Sequence, residues 1–132
     1  MATVANSILL LEDDPLIRDL VEAVLGDDGY DVLVCRSFGQ LLARAAEVPG
    51  ALAVTDFWGR SHETLSDEER EQVEQLARTV PTIMVTARTW VRTTAPADLG
   101  LMALVGKPFD IDDLAGVVTA SLQRIAADRA AC

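Results

Sequence analysis

The sequence predicts an α/β domain built on an open, doubly wound, five-stranded parallel sheet with helices on both faces. Short apolar runs alternate with longer amphipathic runs about five times, which is typical of βα units. Most of the apolar runs are continuous, as in strands that helices cover on both sides. No break in composition resembles a linker, and 132 residues correspond to one domain, so we expect residues 1–132 to form a single domain.

Each strand is predicted from one apolar run. The fourth run follows Pro81 directly, and proline is tolerated at the start of a strand, where no ladder hydrogen bond is lost. The predicted strands are Ser7–Leu11, Val32–Cys35, Leu52–Thr55, Thr82–Val85 and Ala103–Val105.

The first predicted helix has the clearest signals at its two ends. Asp14 is a suitable N-cap, and Pro15 occupies the first helical position, where the missing N–H of proline is not needed. Apolar residues then recur at helical spacing until Gly26 or Gly29 ends the helix.

Three further helices are predicted with less detail. The second runs from Ser37 to about Glu47. The third runs from about Ser66 to Arg78 and begins with acidic residues, which suit the positive end of a helix dipole. The last begins at Asp110 and has one apolar face.

The segment 88–99 is predicted to hold only a short or displaced helix, because Thr93, Thr94 and Pro96 weaken a helix there. Trp90 lies in this segment. Its indole suits either an anchor in a protein interface or a cap on the hydrophobic core, and the sequence leaves both open.

The charge of the chain excludes several functions. It has 11 Lys and Arg against 21 Asp and Glu, so its net charge is −10 with histidine neutral. This charge repels phosphate backbones and anionic lipid surfaces, which argues against direct binding of nucleic acid or membranes. We expect no signal peptide, since acidic residues directly follow the first apolar run, and no membrane span, since no apolar stretch is long enough to cross a bilayer. Two cysteines are too few to predict a disulfide framework. We therefore expect a cytoplasmic protein.

Polar residues follow four of the predicted strands, and the carboxyl ends of parallel strands meet at the crevice where such sheets bind ligands. Glu12, Asp13 and Asp56 would repel one another there without a cation between them, and Mg²⁺ prefers such oxygen ligands. Lys107 and the Thr86 hydroxyl add a positive charge and a donor for phosphoryl oxygens. Asp56 can then act as a carboxylate nucleophile and form an acyl phosphate.

These residues resemble the receiver domain of two-component response regulators. The resemblance rests on the run Ile8–Pro15, on an aspartate ending the third strand, on Thr86-Ala87 and on Lys107-Pro108-Phe109, in this order along essentially the whole chain. It implies a flavodoxin-like fold with strand order 2-1-3-4-5, as a stand-alone domain similar to the chemotaxis regulator.

The resemblance also implies a role for each site residue. Asp56 would accept a phosphoryl group from a sensor histidine kinase or a histidine phosphotransfer protein, with Mg²⁺ as cofactor. Thr86 and Lys107 would contact the phosphoryl group, and the Lys107–Pro108 bond would be cis. The metal ligands would be Asp13 and Asp56 directly, the backbone carbonyl of Trp58, and Glu12 through a bound water.

Several positions depart from the family pattern. The loop after Asp56 lacks the usual proline and reads Phe57-Trp58-Gly59, and Leu104 stands where the family commonly has an aromatic residue that moves with the threonine. The aromatic relay is therefore in doubt. Trp58 and Arg88 are bulky groups at the mouth of the site, and we expect them to hinder water and to give the phosphoryl group a long life.

The leading interpretation is a phosphoacceptor receiver whose output is a protein–protein contact, without conventional enzymatic turnover beyond its own phosphorylation and dephosphorylation. One alternative is a degenerate receiver that acts as an adaptor without phosphorylation. Another is a Mg²⁺-dependent phosphatase with Asp56 as nucleophile, although Trp58 stands where such enzymes usually have a second aspartate.

Ordinary structural roles account for parts of this set. The triplet Glu12-Asp13-Asp14 precedes a helix and, taken alone, suits capping acids. His62 lies in a polar loop, where a solvated side chain is expected more often than a phosphorelay role. The ordered combination of the acids with Asp56 and Lys107 favours the functional interpretation.

Overall fold

The fold is an open parallel sheet with helices on both faces, as the sequence predicts. The computed structural model describes residues 7–56 and 64–130. The strands are β1 (Ser7–Leu11), β2 (Asp31–Cys35), β3 (Leu52–Asp56), β4 (Thr82–Thr86) and β5 (Ala103–Gly106). All neighbouring strands are parallel and their order is β2-β1-β3-β4-β5, which confirms the predicted topology. The α-helices of these ranges are α1 (Pro15–Asp27), α2 (Phe38–Glu47), α3 (Asp67–Thr79) and α4 (Ile111–Ala130).

Successive side chains of the strands form separate cores on the two faces of the sheet. On the face that α1 and α4 cover, Ile8 of β1 belongs to the same core as Val118 of α4. On the face that α2 and α3 cover, the next residue, Leu9, belongs to a core with Leu41 and Leu76. Full burial of each such side chain contributes about 1.5–3 kcal/mol. Packing on both faces therefore holds the strand ends in place.

The helices begin as the sequence predicts, with a polar side chain that accepts N–H groups of the first turn. The Asp14 carboxylate accepts the N–H groups of Leu16 and Ile17 at 2.9 and 3.3 Å. These bonds satisfy donors that have no partner inside the helix. The capped starts are those of α1 by Asp14, of α2 by Ser37 and of α3 by Ser66.

α1 ends at the second of its two predicted stops. The helix continues through Gly26 to Asp27, and Gly29 follows with a φ of 96°. This is a left-handed conformation that favours glycine. The chain turns there into β2, and Tyr30 at the turn places its hydroxyl 3.1 Å from Thr119 Oγ1 of α4. This contact joins the turn between α1 and β2 to α4.

The segment 88–99 holds no α-helix, which agrees with the prediction of a short or displaced one. It forms two 3-10 helices, Thr89–Arg92 and Pro96–Leu99. Pro96 has no N–H to contribute to a continuous helix. It therefore lies at the first position of the second helix, where that N–H is not needed. Trp90 is only 2% exposed and packs in a third core, so its indole caps the core and is not a surface anchor.

α4 is 20 residues long and packs on the sheet through Leu114 and Val118. Its outer face is polar and exposed. Neither α4 nor any other helix within residues 7–56 and 64–130 is long and apolar enough to cross a membrane.

Replacing Asp14 with alanine should lower the free energy of unfolding by about 1 kcal/mol, because two N–H groups of α1 lose their acceptor. Urea unfolding followed by circular dichroism measures this change. Glu22→Ala is the matched control, since Glu22 is exposed in the middle of α1. Equal stability of the two variants would contradict the capping role.

Candidate functional site

Three carboxylates converge at the carboxyl ends of β1 and β3. One oxygen from each of Glu12, Asp13 and Asp56 lies within 4.8 Å of the others. Glu12 is buried, Asp56 is half-buried and Asp13 is exposed, so the group opens to solvent on one side. Asp56 is the last residue of β3, while Glu12 and Asp13 directly follow β1, the neighbouring strand. The structure thus brings together the three acids that the sequence assigns to one rim.

Lys107 neutralises part of this negative charge. Its Nζ lies 2.9 and 3.2 Å from the two carboxylate oxygens of Glu12 and 3.4 Å from Oδ1 of Asp56. Glu12 also accepts the backbone N–H of Asp14 at 3.1 Å. Only 6% of the surface of Glu12 is exposed, so these bonds take the place of water around its carboxylate. The peptide bond between Lys107 and Pro108, just after β5, is cis, as predicted.

The surroundings of Asp56 and Asp13 shift the pKa values of these two acids in opposite directions. Burial, the hydrogen bond with Asp13 and the charge of Glu12 raise the pKa of Asp56 to about 7. The hydrogen bond with Asp56 instead lowers the pKa of Asp13, against the effect of burial. Burial alone would lower the pKa of Lys107, but its bonds to Glu12 and the charge of Asp56 outweigh it and raise the pKa. Asp56 is therefore the acid that is costly to ionise when no cation is bound.

The donor set fits a small divalent cation. Carboxylate oxygens are ligands that Mg²⁺ prefers, and this ion usually takes only one or two carboxylates and keeps several waters. Asp13 is exposed and Asp56 is half-buried, whereas Glu12 is buried and lies closest to Lys107, which also lies 3.4 Å from Asp56. The direct role of the two aspartates and the indirect role of Glu12 stay predictions.

Thr86 ends β4, the strand next to β3, and is 1% exposed. Its carbonyl accepts the backbone N–H of Lys107 at 2.8 Å, and its Oγ1 accepts the backbone N–H of Arg88 at 3.0 Å. Thr86 therefore links the strand end to both Lys107 and the start of the first 3-10 helix.

Leu104 occupies the place where the resemblance leads one to expect an aromatic side chain. It lies opposite Met84 in the pairing of β4 with β5 and packs against the core that contains Met84 and Trp90. Trp90 supplies the aromatic group of this core from the neighbouring 3-10 helix. The sequence did not indicate that Leu104 and Trp90 belong to the same core, because they lie on different elements.

Two predicted positions lie outside the described residues. The metal-ligating carbonyl of Trp58 and the solvated His62 both fall in the segment 57–63. Their roles stay predictions.

Sequence reasoning overlooked two residues at the site. A cavity of about 370 Å³ opens beside the acids and is lined by Arg18 and Arg36. Arg36 directly follows Cys35, the last residue of β2, so the rule that polar residues at strand ends gather at one rim identifies it. Arg18 lies on α1 and has no comparable signal in the sequence.

The fold has close structural relatives, although no protein-family model matches the chain. It is similar to a CheY-like response regulator receiver domain protein from Methanospirillum hungatei, with a TM-score of 0.74 and 25% sequence identity. The similarity covers 92% of this chain and 97% of that one. The two domains therefore match over nearly their entire lengths.

The curated relatives that the chain matches are named as regulatory proteins. The chain is 26% identical over 122 residues to the nitrogen assimilation regulatory protein NtrX of Azorhizobium caulinodans, covering 92% of this chain and 27% of that protein. It is 36% identical over 88 residues to the transcriptional regulatory protein AruR of Pseudomonas aeruginosa, covering 61% of this chain and 34% of that protein. The chain thus spans about a quarter to a third of the length of these relatives.

The stability of the protein should depend on pH through Asp56. The folded-state pKa of about 7 lies above the ordinary value of 3.8, so ionising Asp56 destabilises the fold as pH rises through this window. Without divalent cations, Asp56→Asn should be more stable than the wild type by about 1–2 kcal/mol at pH 8 and by much less at pH 4, allowing for solvent screening.

Thermal unfolding at both pH values measures this difference. Asp31→Asn is the control, because Asp31 is exposed at the start of β2. Adding Mg²⁺ at pH 8 should reduce the advantage of Asp56→Asn. An advantage that is the same at pH 4 and pH 8 would contradict the assignment.

Proposed function

The chain is a receiver domain of the response regulator family, and on this premise we propose that Asp56 accepts a phosphoryl group in two-component signalling. The observation that carries the proposal is the position of Lys107 Nζ, 2.9 Å from Glu12 and 3.4 Å from Asp56 beside the acid cluster. The ammonium group of Lys107 pairs with Glu12 and holds it in place. It also puts a positive charge close to Asp56, where a phosphoryl oxygen can pair with it.

The residues of the site divide the chemistry of transfer among themselves. The Asp56 carboxylate acts as the nucleophile and forms a bond to phosphorus. Lys107 pairs with a phosphoryl oxygen, and the Thr86 hydroxyl donates a hydrogen bond to another. Asp13 and Asp56 would hold Mg²⁺ directly, and Glu12 would act through a bound water. When bound, Mg²⁺ offsets the negative charge of the acids and of the phosphoryl group.

Positioning and charge neutralisation are sufficient for this reaction because its transition state is loose and needs little covalent assistance. The domain therefore catalyses its own phosphorylation and dephosphorylation without the repeated turnover of a conventional enzyme. The transfer also explains why the acids are kept close despite their repulsion. Each one is needed to bind the cation that the incoming phosphoryl group requires.

A sensor histidine kinase or a histidine phosphotransfer protein is the proposed source of the phosphoryl group. The output is proposed to be a protein–protein contact that phosphorylation changes. A relative from Bradyrhizobium is named as a DNA-binding transcriptional regulator, and this chain covers 24% of the length of that protein. We do not extend that DNA binding to this domain, because its net charge of −10 repels nucleic acid.

Incubation with Mg²⁺ and acetyl phosphate should add the mass of one phosphoryl group, and Asp56→Asn should abolish the gain. Asp13→Asn should reduce the rate at least about tenfold, because one ligand of the cation loses its charge. Intact-protein mass spectrometry measures both. Asp98→Asn, at an exposed position on the second 3-10 helix, is the control.

A protein that gains no mass with any phosphodonor would contradict the proposed function and favour an adaptor that acts without phosphorylation. Continuous release of phosphate in amounts far above the protein concentration would instead favour a phosphatase.

The phosphoryl group should be lost faster from Arg88→Ala than from the wild type. Arg88 lines the cavity beside Asp56, so its side chain limits the approach of water to the acyl phosphate. We expect an increase of about threefold or more in the dephosphorylation rate, measured as loss of the phosphorylated mass. Arg92→Ala, on the exposed side of the same 3-10 helix, is the control. An unchanged rate in Arg88→Ala would show that the arginine does not shield the site.

A further inference from the structure

The cavity beside the acid cluster is larger than the transferred group requires. Its volume is about 370 Å³, within the range of small-molecule sites, whereas one water occupies roughly 30 Å³ of the liquid. It extends from the acids across the end of β2 to the start of α2. A phosphoryl group bound at Asp56 leaves most of this space for another part of the donor molecule.

The walls of the cavity differ in chemistry from one side to the other. The acids Asp13 and Asp56 lie on one side. Arg88 lines the cavity beside Asp56, as described above. Two further guanidinium-bearing residues, Arg18 of α1 and Arg36 after β2, also line it, and Phe38 contributes an apolar surface. A ligand that fills the cavity therefore needs a phosphoryl end, an oxygen that carries or gains negative charge, and a small apolar portion.

The two arginines matter because the rest of the protein repels anions. The net charge is −10, and only 11 residues are Lys or Arg. Arg36 is exposed, and its backbone N–H donates to Oε1 of Gln40, which fixes the chain at the rim. Arg18 Nε lies 3.7 Å from the exposed carboxylate of Asp19, a weak pairing that an incoming anion can replace.

We propose that this cavity is a leaving-group subsite for small acyl phosphates, in which Arg18 and Arg36 bind the carboxylate that departs. The inference rests on the proposed phosphorylation of Asp56. In the step, an Asp56 carboxylate oxygen forms a bond to phosphorus and the bond from phosphorus to the bridging oxygen breaks. The electron pair of that bond leaves on the carboxylate, and no proton is transferred. The arginines stabilise the charge that this oxygen gains, and the acyl group rests against Phe38.

The leaving group provides the test, because donors differ in its charge. Acetyl phosphate releases an anionic carboxylate, whereas phosphoramidate releases neutral ammonia. The subsite therefore predicts that Arg18→Gln and Arg36→Gln each slow phosphorylation by acetyl phosphate about threefold, and that the double variant slows it about tenfold. Phosphorylation by phosphoramidate should change less than about 1.5-fold.

The experiment measures the rate of mass gain with each donor in the presence of Mg²⁺. Arg44→Gln is the matched control, because Arg44 lies on α2 outside the cavity and pairs with exposed Glu47 at 3.5 Å. A competition assay gives a second readout: acetate should slow the wild type with acetyl phosphate more strongly than it slows the double variant. Circular dichroism establishes that the variants are folded.

The outcomes separate the two proposals. If neither donor adds a phosphoryl group to the wild type, the proposed function fails. If both donors work but the variants lose equally with each, the arginines act through general attraction of anions and the subsite is wrong. If the variants match the wild type with both donors, the subsite is also wrong.

Discussion

Repulsion among three carboxylates is the constraint on which the site depends. One oxygen from each of Glu12, Asp13 and Asp56 lies within 4.8 Å of the others, at the ends of two neighbouring strands. Lys107 relieves the repulsion only in part, since it pairs most closely with the buried Glu12. The remaining repulsion acts mainly on Asp56, whose pKa is raised to about 7 by burial and by the neighbouring acids. The same arrangement that strains this acid makes it receptive to a cation.

The main elements of the fold are predictable because each has a local physical cause. Continuous apolar runs such as Thr82–Val85 become strands buried on both faces, and Asp14 and Ser37 cap helices at the expected positions. The segment 88–99 is harder to predict in detail. Pro96 rules out a continuous helix, but which short helices replace it depends on burying Trp90 against the sheet, a contact between distant elements.

The site is only partly predictable from strand ends. The acids and Lys107 follow their strands directly, so the topology brings them to one edge. The pairing of Lys107 with Glu12 depends on side-chain burial, which the sequence does not show. Arg36 also follows a strand and was open to the same reasoning, whereas Arg18 reaches the cavity from within α1. Charged residues that follow a strand can thus be assigned to the rim from the sequence, whereas a charged residue that reaches the rim from a helix cannot.

Four of the five strands contribute to the edge where Asp56 lies, since β1, β3, β4 and β5 end there with an acid, a hydroxyl or an ammonium group. None of these groups forms a site by itself. If Asp56 accepts a phosphoryl group as proposed, a chain whose sheet is incomplete, for example during synthesis or after partial unfolding, has the carboxylate but lacks the charges that surround it in the folded domain. Phosphorylation would then be confined to intact molecules, so the architecture would couple modification of Asp56 to the folded state.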